Sequence, residues 1–226
     1  YVPIDITNNF NLNAGETIIG VSLGYSHSSA YTSAGRVFTW GRNSSGQLGN
    51  GTTINSSTPL DITSNLNINE GETIVCISLG GWHSSALTSE GRIFTWGSSY
   101  YGQLGDGMQI NRYTPIDITS QFNLAENEKI IQISLGTYHS SALSSENRIF
   151  TWGWNLYGQL GDGTTIDSYV PIDITNNFNL NAGETINNIE LGYYHSSALT
   201  SEAVVFTWGR NSAGLLGDGT TTNSSV

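Results

Sequence analysis

Apolar side chains in this chain fall in short alternating runs closed by glycine, the pattern of strands joined by tight turns. Between Ser57 and Arg112, the run Thr73 to Leu79 places Val75, Ile77 and Leu79 at every second position and stops at Gly80. That spacing predicts a core strand with one better-buried face. His83 to Thr88 carries small residues that let sheets approach closely, and Ser89-Glu90-Gly91 reads as a hairpin turn into Arg92 to Trp96. On this last strand Ile93 faces one way and Phe94 and Trp96 the other. Two apolar faces are expected of a sheet sandwiched between neighbouring sheets. Thr58 to Thr63, with its proline, predicts a short outer strand, and Ser64 to Glu72 has loop composition. Gly97, Gly102, Gly105 and Gly107 then supply turns and close backbone approach.

The same pattern recurs in register. Pro3, Pro59, Pro115 and Pro171 are 56 residues apart, as are His27, His83, His139 and His195, and Trp40, Trp96, Trp152 and Trp208. The chain is therefore a single array of four units, 1–56, 57–112, 113–168 and 169–224. Each unit buries its apolar faces against its neighbours, as in a solenoid or propeller. Four short antiparallel strands per unit predict the blade of an all-β propeller. Tyr1 to Ile18 repeats as Tyr169 to Ile186, the mark of recent duplication.

The strings Gly-x-x-His-Ser-Ser-Ala, Phe-Thr-Trp-Gly and Gly-Gln-Leu-Gly-Asp-Gly-Thr-Thr carry a resemblance. In the first unit they are Gly24 to Ala30, Phe38 to Gly41 and Gly46 to Thr53, with Asn50 in place of the Asp. This pattern resembles the repeats of the regulator of chromosome condensation family. The resemblance implies a propeller, usually of seven blades, so the four blades here are expected to be part of a seven-bladed ring. An open stack of four leaves an apolar face uncovered at each end. Either further blades complete it, which would make this chain a fragment, or the ends are covered by self-association or ring closure. In a closed ring the lone outer strand expected at Tyr1 to Thr7 would complete the last blade. The fourth unit departs from the pattern, with Ala203-Val204 where the first two have Gly35-Arg36 and Gly91-Arg92, and Leu215 in place of Gln47, Gln103 and Gln159.

Charge narrows the partners. Eighteen acidic side chains against seven basic ones leave a formal charge of -11, and Lys129 is the only lysine. Nucleic-acid binding needs clustered Lys and Arg to neutralise phosphates, so no nucleic acid is expected. There is no run long and apolar enough for membrane insertion. Cys76 is the only cysteine, which rules out an intramolecular disulfide. Richness in Asn, Ser and Thr with little lysine suggests a bacterial protein that is secreted or at the cell surface, with the cytoplasm as the alternative.

The four histidines sit at one position of four separate blades, so they cannot converge on an ion. They read as scaffold, bonded to neighbouring backbone, as do Trp40, Trp96, Trp152 and Trp208. His27-Ser28-Ser29 suggests a nucleophile beside a base, but no acid is placed to orient the ring and every blade repeats the pair. The Gly-Asp-Gly-Thr-Thr turns at Asp162 and Asp218 lack the alternating oxygen ligands of a calcium loop. No catalytic group, metal or cofactor is expected, and the chain reads as non-enzymatic.

Copy-to-copy variation concentrates just before each histidine and just after each Trp-Gly. There lie Tyr25, Trp82, Tyr100, Tyr101, Tyr138, Trp154, Tyr157 and Tyr194. Tyr and Trp dominate binding hot spots, so these rings are the candidate site for a partner protein, the alternative being that they fill gaps between blades. Family members bind small GTPases, chromatin or ubiquitin-pathway proteins, and one secreted member grips its enzyme target through aromatic loops. A guanine-nucleotide-exchange regulator and a carbohydrate-binding surface are the competing functions. The strict spacing leaves no insertion to act as the exchange wedge that the resemblance would imply.

Overall fold

The structure, a computed structural model, describes residues 2–226. The first sheet holds β1 (Ile18–Leu23), β2 (His27–Thr32), β3 (Val37–Gly41) and β4 (Ser56–Asp61) in that order. The second has β5 (Ile74–Leu79), β6 (His83–Thr88), β7 (Ile93–Gly97) and β8 (Arg112–Asp117). The third has β9 (Ile130–Leu135), β10 (His139–Ser144), β11 (Ile149–Gly153) and β12 (Ser168–Asp173). The fourth has three strands, β13 (Ile186–Leu191), β14 (His195–Thr200) and β15 (Val205–Gly209). All neighbours within a sheet are antiparallel, and a lone bridge from Gly209 to Ser224 marks where a fourth strand would begin.

Blade and repeat are offset by one strand. β4 belongs by sequence to the second unit but pairs with β3, with Phe38 opposite Asp61 and Gly41 opposite Ser56. The outer strand that opens each unit thus completes the blade before it. The strand expected over Tyr1 to Thr7 corrects accordingly: among the described residues this segment pairs with no sheet. Residues 2–6 are irregular, a 3-10 turn follows at Thr7–Phe10, and Tyr1 lies outside the described residues. The segment read as a plain loop also holds such a turn at Thr63–Asn65, and its counterpart Thr119–Phe122 buries Phe122 edge-on against Phe150 and Trp152.

The apolar core lies between blades. Val37 of the first blade packs with Ile74, Ile77, Phe94 and Trp96 of the second, and Ile93 of the second with Ile133, Phe150 and Trp152 of the third. Ile93 and Phe94 therefore do serve opposite faces of one sheet. At the two ends the same positions are bare: Val21 is 70% exposed where Ile77 is 5%, and Val205 is 65% exposed where Ile149 is 0%. β5 packs on β1, β9 on β5 and β13 on β9, a stack in which the ends do not meet as a ring.

A polar latch ties each blade to the next. The Gln103 carbonyl in the second blade accepts the indole N–H of Trp152 at 3.0 Å and the Ser140 hydroxyl at 2.9 Å, both from the third. The Ser140 proton is thereby committed, so its oxygen accepts from Nε2–H of His83 at 3.0 Å. Gln47 serves Trp96 and Ser84 in the same way, with His27 on Ser84, and Gln159 serves Trp208 and Ser196, with His139 on Ser196. Gly105 lies beneath the latch at φ +75°, where an added Cβ would come within 2.8 Å of the Trp152 indole nitrogen. Only glycine lets the ring this close.

Wear in the fourth unit has local consequences. Arg92 bridges Glu72 and Asp117, both at 2.8 Å, and lies 4.7 Å from the Phe94 ring, joining loop to outer strand. Val204 stands at its place in the last blade, and Ala203 takes at φ +61° the left-handed turn that Gly35, Gly91 and Asn147 take in the other units.

The latch predicts a contrast between equivalent serines. Ser140→Ala leaves the buried His83 Nε2–H without an acceptor and should cost about 1–3 kcal/mol. Among the described residues Ser28 meets no blade before it and its hydroxyl makes no hydrogen bond, so in this chain Ser28→Ala should be nearly neutral. Guanidinium unfolding midpoints distinguish the two, and equal losses would contradict the latch.

Candidate functional site

Each blade's inner turn and its neighbouring loop are held side by side by the backbone. The amide of Ser98 donates to the Trp82 carbonyl, that of Trp154 to Tyr138 and that of Arg210 to Tyr194, all at 2.9 Å. The position before each histidine is thus pinned to the position immediately after each Trp-Gly. That bond brings the two variable stretches onto one face.

The rings form a continuous surface there. Trp82 stacks on Tyr138 at 5.1 Å and 13°, Tyr138 on Tyr194 at 6.1 Å and 14°, and Tyr25 leans on Trp82 at 5.2 Å. Those four residues make one ladder, a ring per blade. A second row from the loops after β7 and β11 packs edge-on against it: Tyr101 meets Tyr138 at 5.1 Å, and Trp154 meets Tyr194 at 4.8 Å. Tyr100 joins through Tyr101, and Tyr157 through Trp154. The eight predicted residues therefore come together on one face. Tyr25 and Tyr100 are exposed, while Trp82, Tyr101, Tyr138, Trp154, Tyr157 and Tyr194 are half-buried against one another.

Two further members were not singled out by sequence. Tyr193 is exposed, meets Tyr194 at 4.2 Å, and lines an axial opening of about 270 Å³ with Tyr25 and Thr137. Its visible signal was that the fourth unit alone doubles the tyrosine before histidine. Arg210 lies 5.2 Å from the Tyr157 ring centre and 5.6 Å from that of Tyr194. Its loop was flagged as variable, but only the fold sets the guanidinium over rings of the preceding blade and its own. Burial pushes the Tyr138 and Tyr194 phenols above the usual tyrosine range, and nearby phenols add like-charge repulsion. Both stay protonated at neutral pH and can donate hydrogen bonds.

The sequence model of the RCC1-like domain matches residues 2–226. The chain belongs to the RCC1-like family. The ultraviolet-B receptor UVR8 of Arabidopsis thaliana is 35% identical over 208 residues, covering 91% of this chain and 44% of the receptor. Human WBSCR16 aligns with a TM-score of 0.79 at 27% identity, over 92% of this chain and 51% of that one. Prp20p of Saccharomyces cerevisiae, studied for its binding properties to Gsp1p and histones, aligns at 0.71 and 26% identity, over 92% and 49%. The chain thus spans about half the length of these relatives. RCC1 propellers have seven blades, and this RCC1-like chain carries four of that kind.

In this RCC1-like array the Nε2 of His27, His83 and His139 meets a serine hydroxyl of the next blade, not the serine beside it. Successive strand residues point to opposite faces, so His83 cannot reach Ser84 and instead meets Ser140 of the next blade. Histidine and serine are spent on the latch, facing away from solvent. Among the described residues no cluster of three or more His, Cys, Asp or Glu could hold a metal ion. His195 has no following blade and is half-buried, and Trp40 has none before it and is likewise half-buried.

Burial drives the latch imidazoles neutral. His27 is held at about 4, and His83 and His139 at about 3, against an ordinary value of 6.5. Between these values the unfolded chain binds protons that the native one does not, so stability increases with pH. The contribution is complete above 6.5 and is lost as pH falls toward the folded values. From pH 7 to pH 5 each latch ring should cost roughly 1–2 kcal/mol of stability. Denaturation at the two pH values checks this, with His83→Gln expected to flatten the slope by about one proton. Equal stability at both would show that the rings are not buried neutral.

Proposed function

We propose that this chain is a protein-interaction propeller that binds a partner protein through its aromatic face. The observation that carries the reading is the contiguous ring surface, assembled from the positions at which otherwise repetitive units differ. The scaffold does not require rings there: Tyr101 and Tyr157 are matched by Ser45 and Ala213, and Trp154 by Arg42, Ser98 and Arg210. Rigid, amphipathic rings that surrender little conformational entropy suit a binding surface. Their tight mutual packing preorganises them, which lowers the cost of association. The binding of Gsp1p and histones studied for Prp20p is consistent with an interaction role for the fold. Here the acidic balance makes basic protein segments the better match than nucleic acid.

Guanine-nucleotide exchange and carbohydrate binding remain the competing readings. The unbroken 56-residue spacing gives exchange no inserted wedge. Stacked rings suit sugars, but most ring faces here are turned onto one another.

Trp82→Ala combined with Trp154→Ala should weaken capture of a partner isolated with the native chain by at least about thirtyfold, since hot-spot truncation costs about 2 kcal/mol or more. Surface-immobilised binding, with folding verified by circular dichroism, measures this. Unchanged affinity would overturn the assignment, and signal confined to a glycan array or a nucleotide-release assay would favour the competing readings.

A further inference from the structure

We propose that the niche formed by Tyr100, Tyr101, Gln109 and Asp167 receives a lysine or arginine side chain of the partner protein. The proposal names the chemistry of that partner and rests on the reading of the aromatic face as a protein-binding surface. Tyr100, Tyr101 and Gln109 come from the loop between β7 and β8, and Asp167 from the loop between β11 and β12. The niche, about 340 Å³, therefore straddles the join of the second and third blades.

Three of its four residues are of a type found in only one copy at that position. Tyr100 replaces Ser44, Leu156 and Ser212, Gln109 replaces Thr53, Thr165 and Thr221, and Asp167 replaces Asn55, Asn111 and Asn223. The asparagines show what the scaffold needs at the last position. Asn55 accepts the amide of Asn43 at 2.8 Å, Asn111 that of Ser99 at 3.0 Å, and Asn223 that of Asn211 at 2.8 Å. Asp167 makes the same bond to the amide of Asn155 at 2.8 Å. An amide oxygen already suffices for the turn, so the carboxylate adds a negative charge and nothing to the fold.

That charge is uncompensated. Among the described residues Asp167 enters no ion pair, whereas Asp61, Asp106, Asp117 and Asp173 each hold an arginine. Partial burial pushes its carboxyl above the usual aspartate value, a cost that an arriving cation removes. The walls are set for such a cation. Tyr100 stands exposed and edge-on to Tyr101 at 4.9 Å, and the Gln109 side-chain amide donates to the Tyr100 carbonyl at 3.0 Å, fixing the loop. The face already accommodates one cation of this kind, because Arg210 lies over Tyr157, the counterpart of Tyr101 one unit on. An ammonium or guanidinium in the niche gains a ring face and a charge-assisted hydrogen bond together.

The test uses the full chain, labelled with nitrogen-15, and capped Gly-Lys-Gly and Gly-Arg-Gly tripeptides, with the citrulline analogue as the neutral control. The charged peptides should move the amide signals of Tyr100, Tyr101, Gln109 and Asp167, and the citrulline peptide should not. Asp167→Asn, which installs the residue of the other three units and keeps the turn, should weaken peptide binding about tenfold. Shifts spread over the acidic surface, or equal binding by the variant, would overturn the niche. The peptides read the niche without any partner, so that failure leaves the aromatic face standing. Partner capture that survives Trp82→Ala with Trp154→Ala instead sinks the aromatic face, and this proposal with it, whatever the peptides do.

Discussion

The joint between blades rests on a single backbone carbonyl that serves two donors at once. Gln103 accepts the indole of Trp152 and the hydroxyl of Ser140, and the committed hydroxyl then accepts His83. Each group is buried, so each needs its partner, and a donor left alone there costs more than the bond returns. Apolar burial is non-directional and by itself sets no register between two sheets. The latch fixes their register because the indole must lie over Gly105 while its N–H reaches the carbonyl. The recurring glycine, histidine, serine and tryptophan are the parts of this joint, while the glutamine lends it a backbone carbonyl and uses its side chain to accept the turn amides of Ser45, Tyr101 and Tyr157.

A joint made from repeated residues leaves the rest of the unit free to vary. The variable stretches meet on one face because the amide after each Trp-Gly donates to the carbonyl before each histidine. The ladder Tyr25, Trp82, Tyr138 and Tyr194 therefore advances one blade at a time, and Trp154 and Tyr101 fill the second row. The second unit has diverged furthest within its loop. Ser99 replaces the asparagine that elsewhere ties the turn, and Asp106, released from that tie, pairs instead with Arg112 at 2.6 Å. The niche beside it opens on the same rebuilt loop.

Much of the fold was legible because its signals are local. Alternating apolar residues bounded by glycine mark the strands, and His83–Thr88 matches its predicted limits to the residue. What escaped is non-local. The offset between repeat and blade depends on β4 pairing backward with β3, which no spacing reveals, and Phe122 looks like part of a polar loop until it meets Phe150. The candidate rings were visible as variation, since aromatics in turns are conspicuous. Asp167 was not, because one Asp among Asn residues carries no pattern and becomes informative only when Tyr100 from the neighbouring blade stands beside it. The histidines read as scaffold from the sequence, and what no local pattern reveals is that the hydroxyl met by His83 lies 57 residues along the chain.

The measurement that tests this account most directly is the protonation of the four imidazoles, followed by nitrogen-15 chemical shifts from pH 7.5 to pH 5. The latch predicts that His27, His83 and His139, each on a serine of the next blade, stay neutral and protonated at Nε2 throughout, and burial lowers His195 as well. Four rings titrating together near 6.5, or neutral rings protonated at Nδ1, would contradict it: the serines would then not be committed to the glutamine carbonyls, and the face built on that scaffold would lose its foundation.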